Sequence, residues 1–378
     1  MKKLFIVGLC ATLAMSSVIA QGSSEKKSQA DQMVTLKIGD NMPDRKNGVG
    51  AVVETLNAEF EALHPNVTLT TESYNDQPWQ EKVRIYATAN QLPDVMKYWS
   101  FSTLLNPLVD AGMVEPLEYD TFNQYNFLPG ALEGNMVDGK LYGFPNSADL
   151  WVVYYNKGLF EKAGLPIPTT WDEIIKDATV FNTMGITPMV TDGKDGWPLC
   201  EMFDNIAQRI NGDFTYVAKA QEREMKYTDP SFVATADYIQ KIIKANVFPE
   251  NLTTSDYGES RNAFGQGRAA MYMMGSWEMN LATDSNFSDE FKANLDVMPF
   301  PVIDGGKGVA EDTLGWYGGN YIMSSHSKNK EIALEYLKFL AEKFGQAAWD
   351  AGASFPPVKV QATDSDTYLA KALLNIAA

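Results

Sequence analysis

The sequence predicts an α/β protein built as two domains. Strand-like apolar runs alternate with amphipathic helical stretches along almost the whole chain. Its 378 residues are more than a single hydrophobic core usually organises. A third observation is the stretch Asp138–Trp171, which sets a tight turn, a strand, a second apolar run and a helix start close together.

The elements follow in order. Residues 34–39 form the first strand, and 49–63 carry apolar residues at helical spacing as far as His64-Pro65-Asn66. A second strand is expected at 67–72 and a helix at 79–89. Residues 93–96 read as a short buried strand opening into Lys97-Tyr98-Trp99-Ser100. Asp138-Gly139 is a strong hairpin signal, because both central residues of that turn need φ > 0. It feeds a strand at 140–144 that stops at Pro145, and the run 150–155 follows. Thr170 launches a helix with Trp171, Asp172 and Glu173 in its first turn, where carboxylates suit the helix dipole. Further helices fall near 171–181, 199–210 and 231–245, and 261–267 leads to an apolar strand at 269–274. Residues 295–301 and 315–324 read as strands returning to the first domain, and 332–344 as a strong amphipathic helix. No internal repeat is evident.

Residues 1–20 have the form of an export signal: Lys2 and Lys3, an apolar run over 4–14, and Val18-Ile19-Ala20 before Gln21. The run is too short for a membrane span. Cys10 lies inside it behind Leu9, where a lipid-attachment cysteine would follow a small residue. Residues 21–33 read as a polar, flexible leader. The full chain has a formal charge of −17, and removal of the signal takes away two lysines to leave −19. So acidic a protein is a poor partner for nucleic acid or an anionic membrane. Cys200 is the one cysteine beyond the signal, so no intrachain disulfide is expected. The two histidines, His64 and His326, make no metal-ligand spacing, and no P-loop or dinucleotide glycine turn is present, so neither metal nor cofactor is expected.

Five segments in order resemble one family. They are 60–69 (FEALHPNVTL), Leu92-Pro93-Asp94-Val95 with Trp99, and Leu141-Tyr142-Gly143-Phe144-Pro145 with Tyr154-Tyr155-Asn156-Lys157. They continue with 264–271 (FGQGRAAM) plus Gly275-Ser276-Trp277, and then 327–333 (SKNKEIA). Together they resemble the family 1 extracellular solute-binding proteins of bacteria, the sugar-binding type to which maltose-binding protein belongs. The resemblance implies the two-lobe periplasmic-binding-protein fold (type II, Venus-flytrap) with a hinge between the lobes. It implies lobe 1 at 34–145 plus 278–325 and lobe 2 at 146–277 plus 326–378, with crossovers near 145–150, 276–282 and 320–326. It further implies a monomer in the periplasm that closes on a sugar and delivers it to the permease of an ABC importer, with no catalytic group. The chain ends soon after Pro356-Pro357, where members of that family usually continue through further second-lobe helices.

A sugar presents hydroxyls that both donate and accept, and apolar C–H faces, so its site needs planar polar groups and flat rings. Open α/β sheets place ligands at the carboxyl ends of their strands. Asn41 and Asp44 follow the first strand, as ligand groups or as turn formers. Tyr98, Trp99 and Ser100 follow the Pro93-Asp94-Val95 strand, with one aromatic in the cleft and another in the core; Asp94 reads as structural. Trp197, in Asp195-Gly196-Trp197-Pro198, is a stacking ring or loop packing. By the resemblance, Asp149 falls where a ligand carboxylate is carried and Trp277 where a tryptophan stacks on sugar. Trp316, beside Gly318, Gly319 and Asn320, resembles a cleft segment whose paired glycines let backbone approach a ligand. Trp171 reads as structural and the methionines as core filler. Two other readings stay open: a polyamine or other small solute in the same fold, and a secreted carbohydrate-active enzyme, which would need a carboxylate pair. Arg45 and Lys97 are the cations that the cleft loops offer to an anion.

Overall fold

The computed structural model describes residues 33–363 and 366–377. The signal and leader expected over 1–32 lie outside the described residues. Among the described residues, ten strands organise the fold: β1 (Val34–Asp40), β2 (Val67–Ser73), β3 (Val95–Tyr98), β4 (Met136–Val137), β5 (Lys140–Leu141), β6 (Phe144–Asn156), β7 (Thr187–Val190), β8 (Ala269–Gly275), β9 (Leu295–Pro299) and β10 (Gly315–Met323). β4 and β5 form the expected hairpin, with Asp138 and Gly139 at φ +49° and +76°.

In the first lobe, β1 lies between β2 and β3, parallel to both. The helix Gly48–Leu63 makes the crossover, and its buried Val52, Val53, Leu56 and Phe60 recur at helical spacing. β10 is antiparallel to β3 and to the first half of β6. In the second lobe, β8 and β9 run antiparallel to the second half of β6, and β7 is parallel to β8. The helix Trp171–Thr183 starts as expected: Glu173 N donates to Thr170 Oγ1 (3.1 Å) while the Glu173 carboxylate accepts from Thr170 N (3.2 Å), a reciprocal cap. Trp171 is fully buried against Phe300.

Two separate cores result. Leu36, Val53, Phe60, Tyr321, Tyr336 and Phe344 belong to the first, with Trp79, Met96 and Tyr98 on the other face of that sheet. Trp151, Tyr154, Trp171, Met271, Met273, Leu295 and Phe300 belong to the second.

The structure corrects the expected boundaries. Residues 279–303 supply Met279, Leu281, Phe291, Val297 and Ile303 to the second core, so 276–282 is no crossover, and β9 does not return to the first lobe. The helix Lys330–Asp350 buries Ala333, Tyr336, Leu337 and Leu340 in the first core, not the second. Among the described residues, the chain passes between lobes in three places. These are the middle of β6, the start of β10 where Trp316 belongs to one core and Tyr321 to the other, and 348–355, where Ala348 and Trp349 divide likewise. Pro145 does not end a strand. It lies inside β6 opposite Asn320, at the edge where the ladder leaves one lobe for the other. A strand's own residues record its burial but not its neighbour, which is why the sequence points β9 to the wrong lobe.

Candidate functional site

The strand ends of both lobes meet around β6 and β10. From the first lobe come Asn41 (after β1), Asp76 (opening the helix Asp76–Ala89) and Lys97 (on β3). Asn41 Nδ2 donates to Asp76 Oδ1 (2.6 Å), and Lys97 Nζ donates to Asn41 Oδ1 (2.8 Å). Lys97 and Asp76 keep partial contact with solvent. Burial nevertheless is the largest influence on each, lowering the Lys97 pKa and raising that of Asp76. Both side chains therefore touch water while lying deep among protein atoms.

On β6, Ser147 Oγ lies 2.8 Å from Asp149 Oδ2 and 3.1 Å from the Gly318 carbonyl, so one hydroxyl proton serves two acceptors. Burial pushes the Asp149 carboxyl up to about 7, against the opposing influences of Ser147 and Lys97. Gly318 and Gly319 make this approach possible. A Cβ on Gly318 would lie 1.8 Å from Asp149 Oδ2; one on Gly319 (φ +58°) would lie 2.3 Å from Asn146 Oδ1 and 2.6 Å from Lys97 Cε.

The second lobe supplies aromatic surface. The Trp197 ring lies 6.0 Å from Trp151 and 5.7 Å from Trp277, and Trp277 lies 6.1 Å from Trp151 and 5.9 Å from Trp316. Trp277 follows β8, Trp197 opens the helix Trp197–Asn211, and Trp316 pairs in register with Asp149. A polar chain fixes the Trp277 ring. Its Nε1 donates to Tyr257 Oη (3.0 Å), Tyr257 Oη donates to Glu278, and Arg261 binds Glu278 (2.7 Å), Asp284 (2.8 Å) and Asn280 (3.2 Å). Asp192, beyond β7, is fully buried; burial raises its carboxyl to about 6, and its Oδ1 accepts from Asp195 N (3.1 Å).

These two walls face each other. The charge of Asp195 acts on Asp76, and that of Arg261 on Asp44, each across the lobes. Asn47 Oδ1 accepts from Ser285 Oγ (3.1 Å). Around the junction, Asn146 Oδ1, Asp149 Oδ1, Trp151 Nε1 and Asp192 Oδ2 are buried without a partner.

Of the sequence-predicted residues, Asn41, Asp149, Trp197, Trp277, Trp316 and Gly319 come together here. Asn320 is fully buried beneath them, and its amide, oriented to satisfy its neighbours, donates to the Gly319 carbonyl (3.0 Å) and accepts from Ser100 N (3.2 Å); both residues support the cleft from behind. Two readings left open by the sequence resolve toward the structural alternative, away from a ligand role for Tyr98 and Asp44. Tyr98 is 2% exposed, in the core with Trp79 and Leu105, because alternation along β3 turns it away from the face that carries Lys97. Trp99 packs partly on the same cluster, 5.6 Å from Tyr98. Asp44 is a turn former, accepting from Lys46 N (2.9 Å) and Asn47 Nδ2 (3.0 Å). Asp94 accepts from Lys37 N (2.8 Å), the structural role expected of it. Sequence reasoning missed Asp76, Asn146, Trp151, Asp192 and Tyr257. An acidic residue just past a strand end was the available signal for Asp192, but β7 itself was not recognised.

The model of the family described as bacterial extracellular solute-binding protein matches residues 44–347. The chain belongs to that family. Its members are binding proteins. A multiple sugar-binding protein of Streptococcus mutans is 24% identical over 95% of this chain and 84% of its own. A structure solved in work on xylan utilization by the thermophilic bacterium Caldanaerobius polysaccharolyticus superposes with a TM-score of 0.82 at 27% identity, covering 90% of this chain and 87% of that one. The sn-glycerol-3-phosphate-binding periplasmic protein UgpB of Shigella flexneri is also similar, 22% identical over 84% of this chain and 73% of its own. The solute-binding fold therefore has two lobes around the cleft described above. Among the described residues, no helix is long and apolar enough to cross a membrane.

Proposed function

We propose that this protein is the exported substrate-binding component of an ABC importer, a monomer that captures a sugar or oligosaccharide in its interlobe cleft and presents it to the membrane permease. One observation carries the reading: acceptors on Asn146, Asp149 and Asp192 and a donor on Trp151 are buried without partners around the junction of the lobes, where Trp197, Trp277 and Trp316 are only partly buried. Each buried unpartnered group costs about 1–3 kcal/mol. A ring of hydroxyls supplies donors to the three acceptors and an acceptor to the indole, while its C–H face covers the aromatic rings. Family membership and the sugar-binding relatives support the same reading. The ligand is held and released rather than transformed, because Trp277 and its neighbours offer a stacking surface and the Tyr257 hydroxyl is committed to Glu278. Hinge closure occurs at the three lobe crossings.

A thermal-shift screen of the purified protein with mono- and oligosaccharides, with spermidine on the same plate, tests this. A sugar at a hundred times its Kd adds about 2.7 kcal/mol to stability, which for this length raises Tm by a few degrees. A shift with spermidine alone would replace the sugar with a polyamine, and turnover of a glycan would overturn the binding reading.

A further inference from the structure

We infer that the loop 44–48 of the first lobe and the segment 280–285 of the second form a clasp that holds the lobes shut, apart from the walls proposed to touch the solute. The clasp rests on the proposed binding role and deepens it: it sets how long a solute stays, not which solute enters.

Asn47 occupies the N-cap position of the helix Gly48–Leu63, where an asparagine side chain ordinarily accepts from a backbone N–H of the first turn. Here it makes no such bond. Asp44 holds it instead: Asp44 Oδ2 accepts from Asn47 Nδ2 (3.0 Å) and Asp44 Oδ1 from Asn47 N (3.2 Å). The remaining amide oxygen of Asn47 accepts from Ser285 Oγ (3.1 Å) and Ser285 N (3.4 Å). A capping residue that leaves its own helix for the other lobe breaks a local rule, and such breaks are expected where function requires them.

The next residue allows the close approach. Gly48 has φ +56°, and a Cβ there would lie 2.3 Å from Asn280 Nδ2. Arg261 fixes Asn280, its Nη2 donating to Asn280 Oδ1 (3.2 Å). Arg261 also pairs with Asp284 (2.8 Å), which accepts from Asn286 N (2.8 Å), so the chain is held on both sides of Ser285. The same guanidinium binds Glu278, the partner of Tyr257, so Arg261 is a positioning residue for the clasp and for the Trp277 ring together. Met42 and Val52 anchor one half of the clasp in the first core; Met279, Leu281 and Phe287 anchor the other in the second. Thr283 lies beside the crossing at 348–355, where a Cβ on Gly352 would be 3.6 Å from Thr283 Cγ2. The clasp therefore sits close to a pivot, where lobe rotation moves atoms little and short direct bonds are the contacts that register it.

Stopped-flow titration of wild type and variants with xylotriose, maltotriose, raffinose and spermidine tests the clasp. Asn47→Ala and Ser285→Ala should each raise the dissociation rate of a bound solute about three- to tenfold, the worth of a modest hydrogen bond, and leave the association rate within about twofold. The double variant should lose no more than either single one. Gly48→Ala should raise dissociation about tenfold, and Asn280→Ala should restore part of that loss; strain confined to the first lobe would not be relieved from the second. Unchanged dissociation in both alanine variants, additive losses in the pair, or no relief of Gly48→Ala by Asn280→Ala overturns the clasp and leaves the binding role intact. No binding of any of the four solutes by wild type overturns the binding role, and the clasp with it.

Discussion

The two walls of the cleft are chemically unlike. The first-lobe wall is a hydrogen-bonding surface: Asn41, Asp76 and Lys97 form one connected chain, and Asn146 and Asp149 hold buried acceptors toward the junction. The second-lobe wall is aromatic, with the Trp277 ring about six ångströms from each of Trp151, Trp197 and Trp316, and polar groups recruited mainly to orient rings. A carbohydrate has both characters on one molecule. Neither wall alone satisfies it, so affinity depends on bringing the lobes together, and the two walls should contribute different quantities: the aromatic wall binding strength, the polar wall selectivity and pH response.

The largest expected effect comes from breaking the aromatic wall. Trp277→Ala removes the ring that touches three others and should weaken binding of the sugar found in the thermal-shift screen by roughly thirty- to a hundredfold, about 2–3 kcal/mol. The ratio of Kd values for two epimers of that sugar should stay nearly constant, because hydroxyl orientation is read by the other wall. Titration of wild type and variant with both epimers checks this. A collapse of epimer selectivity in the variant would erase the division of labour.

Breaking the polar wall at Asp149 should act on stability as well as binding. Its carboxyl is raised from 3.8 to about 7 by burial, so between those values the folded chain keeps a proton that the unfolded chain has released. Stability from this group is therefore full below about pH 4 and lost as pH rises through about 7, with roughly 4 kcal/mol as the upper bound for three units. Asp149→Asn carries no charge to bury. The variant should be more stable than wild type at pH 8, with a Tm advantage that shrinks as pH falls toward 4, and should bind sugar at least tenfold more weakly. Melting curves at intervals of half a pH unit decide it: an advantage independent of pH would show that Asp149 does not carry the titration. A residue that costs stability and is repaid by a ligand is expected where function opposes folding.

How much of this was legible in the chain follows from what each signal encodes. Asp138-Gly139 and Thr170-Glu173 were readable because turn and cap chemistry are local, and both appear where the residues put them. Trp277, Trp197 and Trp316 stood out as aromatics beside strand ends, and they meet. Tyr98 and Asp44 had the right composition at the right places in the chain; the pleat of β3 and a local turn claimed them instead. Trp151 was hidden because a tryptophan inside an apolar strand reads as core, and it is core on one face while its indole N–H remains unpaired. Asp76 and Asp192 come from elements far apart in the chain, and the influence of Asp195 on Asp76 across the lobes belongs to the tertiary fold. The lobe of β9 and of the helix Lys330–Asp350 was misjudged for the same reason.

The smallest expected effect sharpens the comparison most. If the second-lobe polar groups serve ring orientation, Tyr257→Phe should lower sugar affinity about threefold, the loss of one modest hydrogen bond. The hydroxyl lies between Trp277 Nε1 and Glu278, so its removal frees the ring while Arg261 still holds Glu278. The effect should vanish in the Trp277→Ala background, because a positioning residue has nothing left to position. A double-mutant cycle measures this directly. Additive losses would mean that the Tyr257 hydroxyl contacts ligand itself, and the aromatic wall would then share in the polar recognition assigned to the other lobe. Non-additive losses would keep the walls distinct, with the chain from Arg261 through Tyr257 acting only through the face that Trp277 presents.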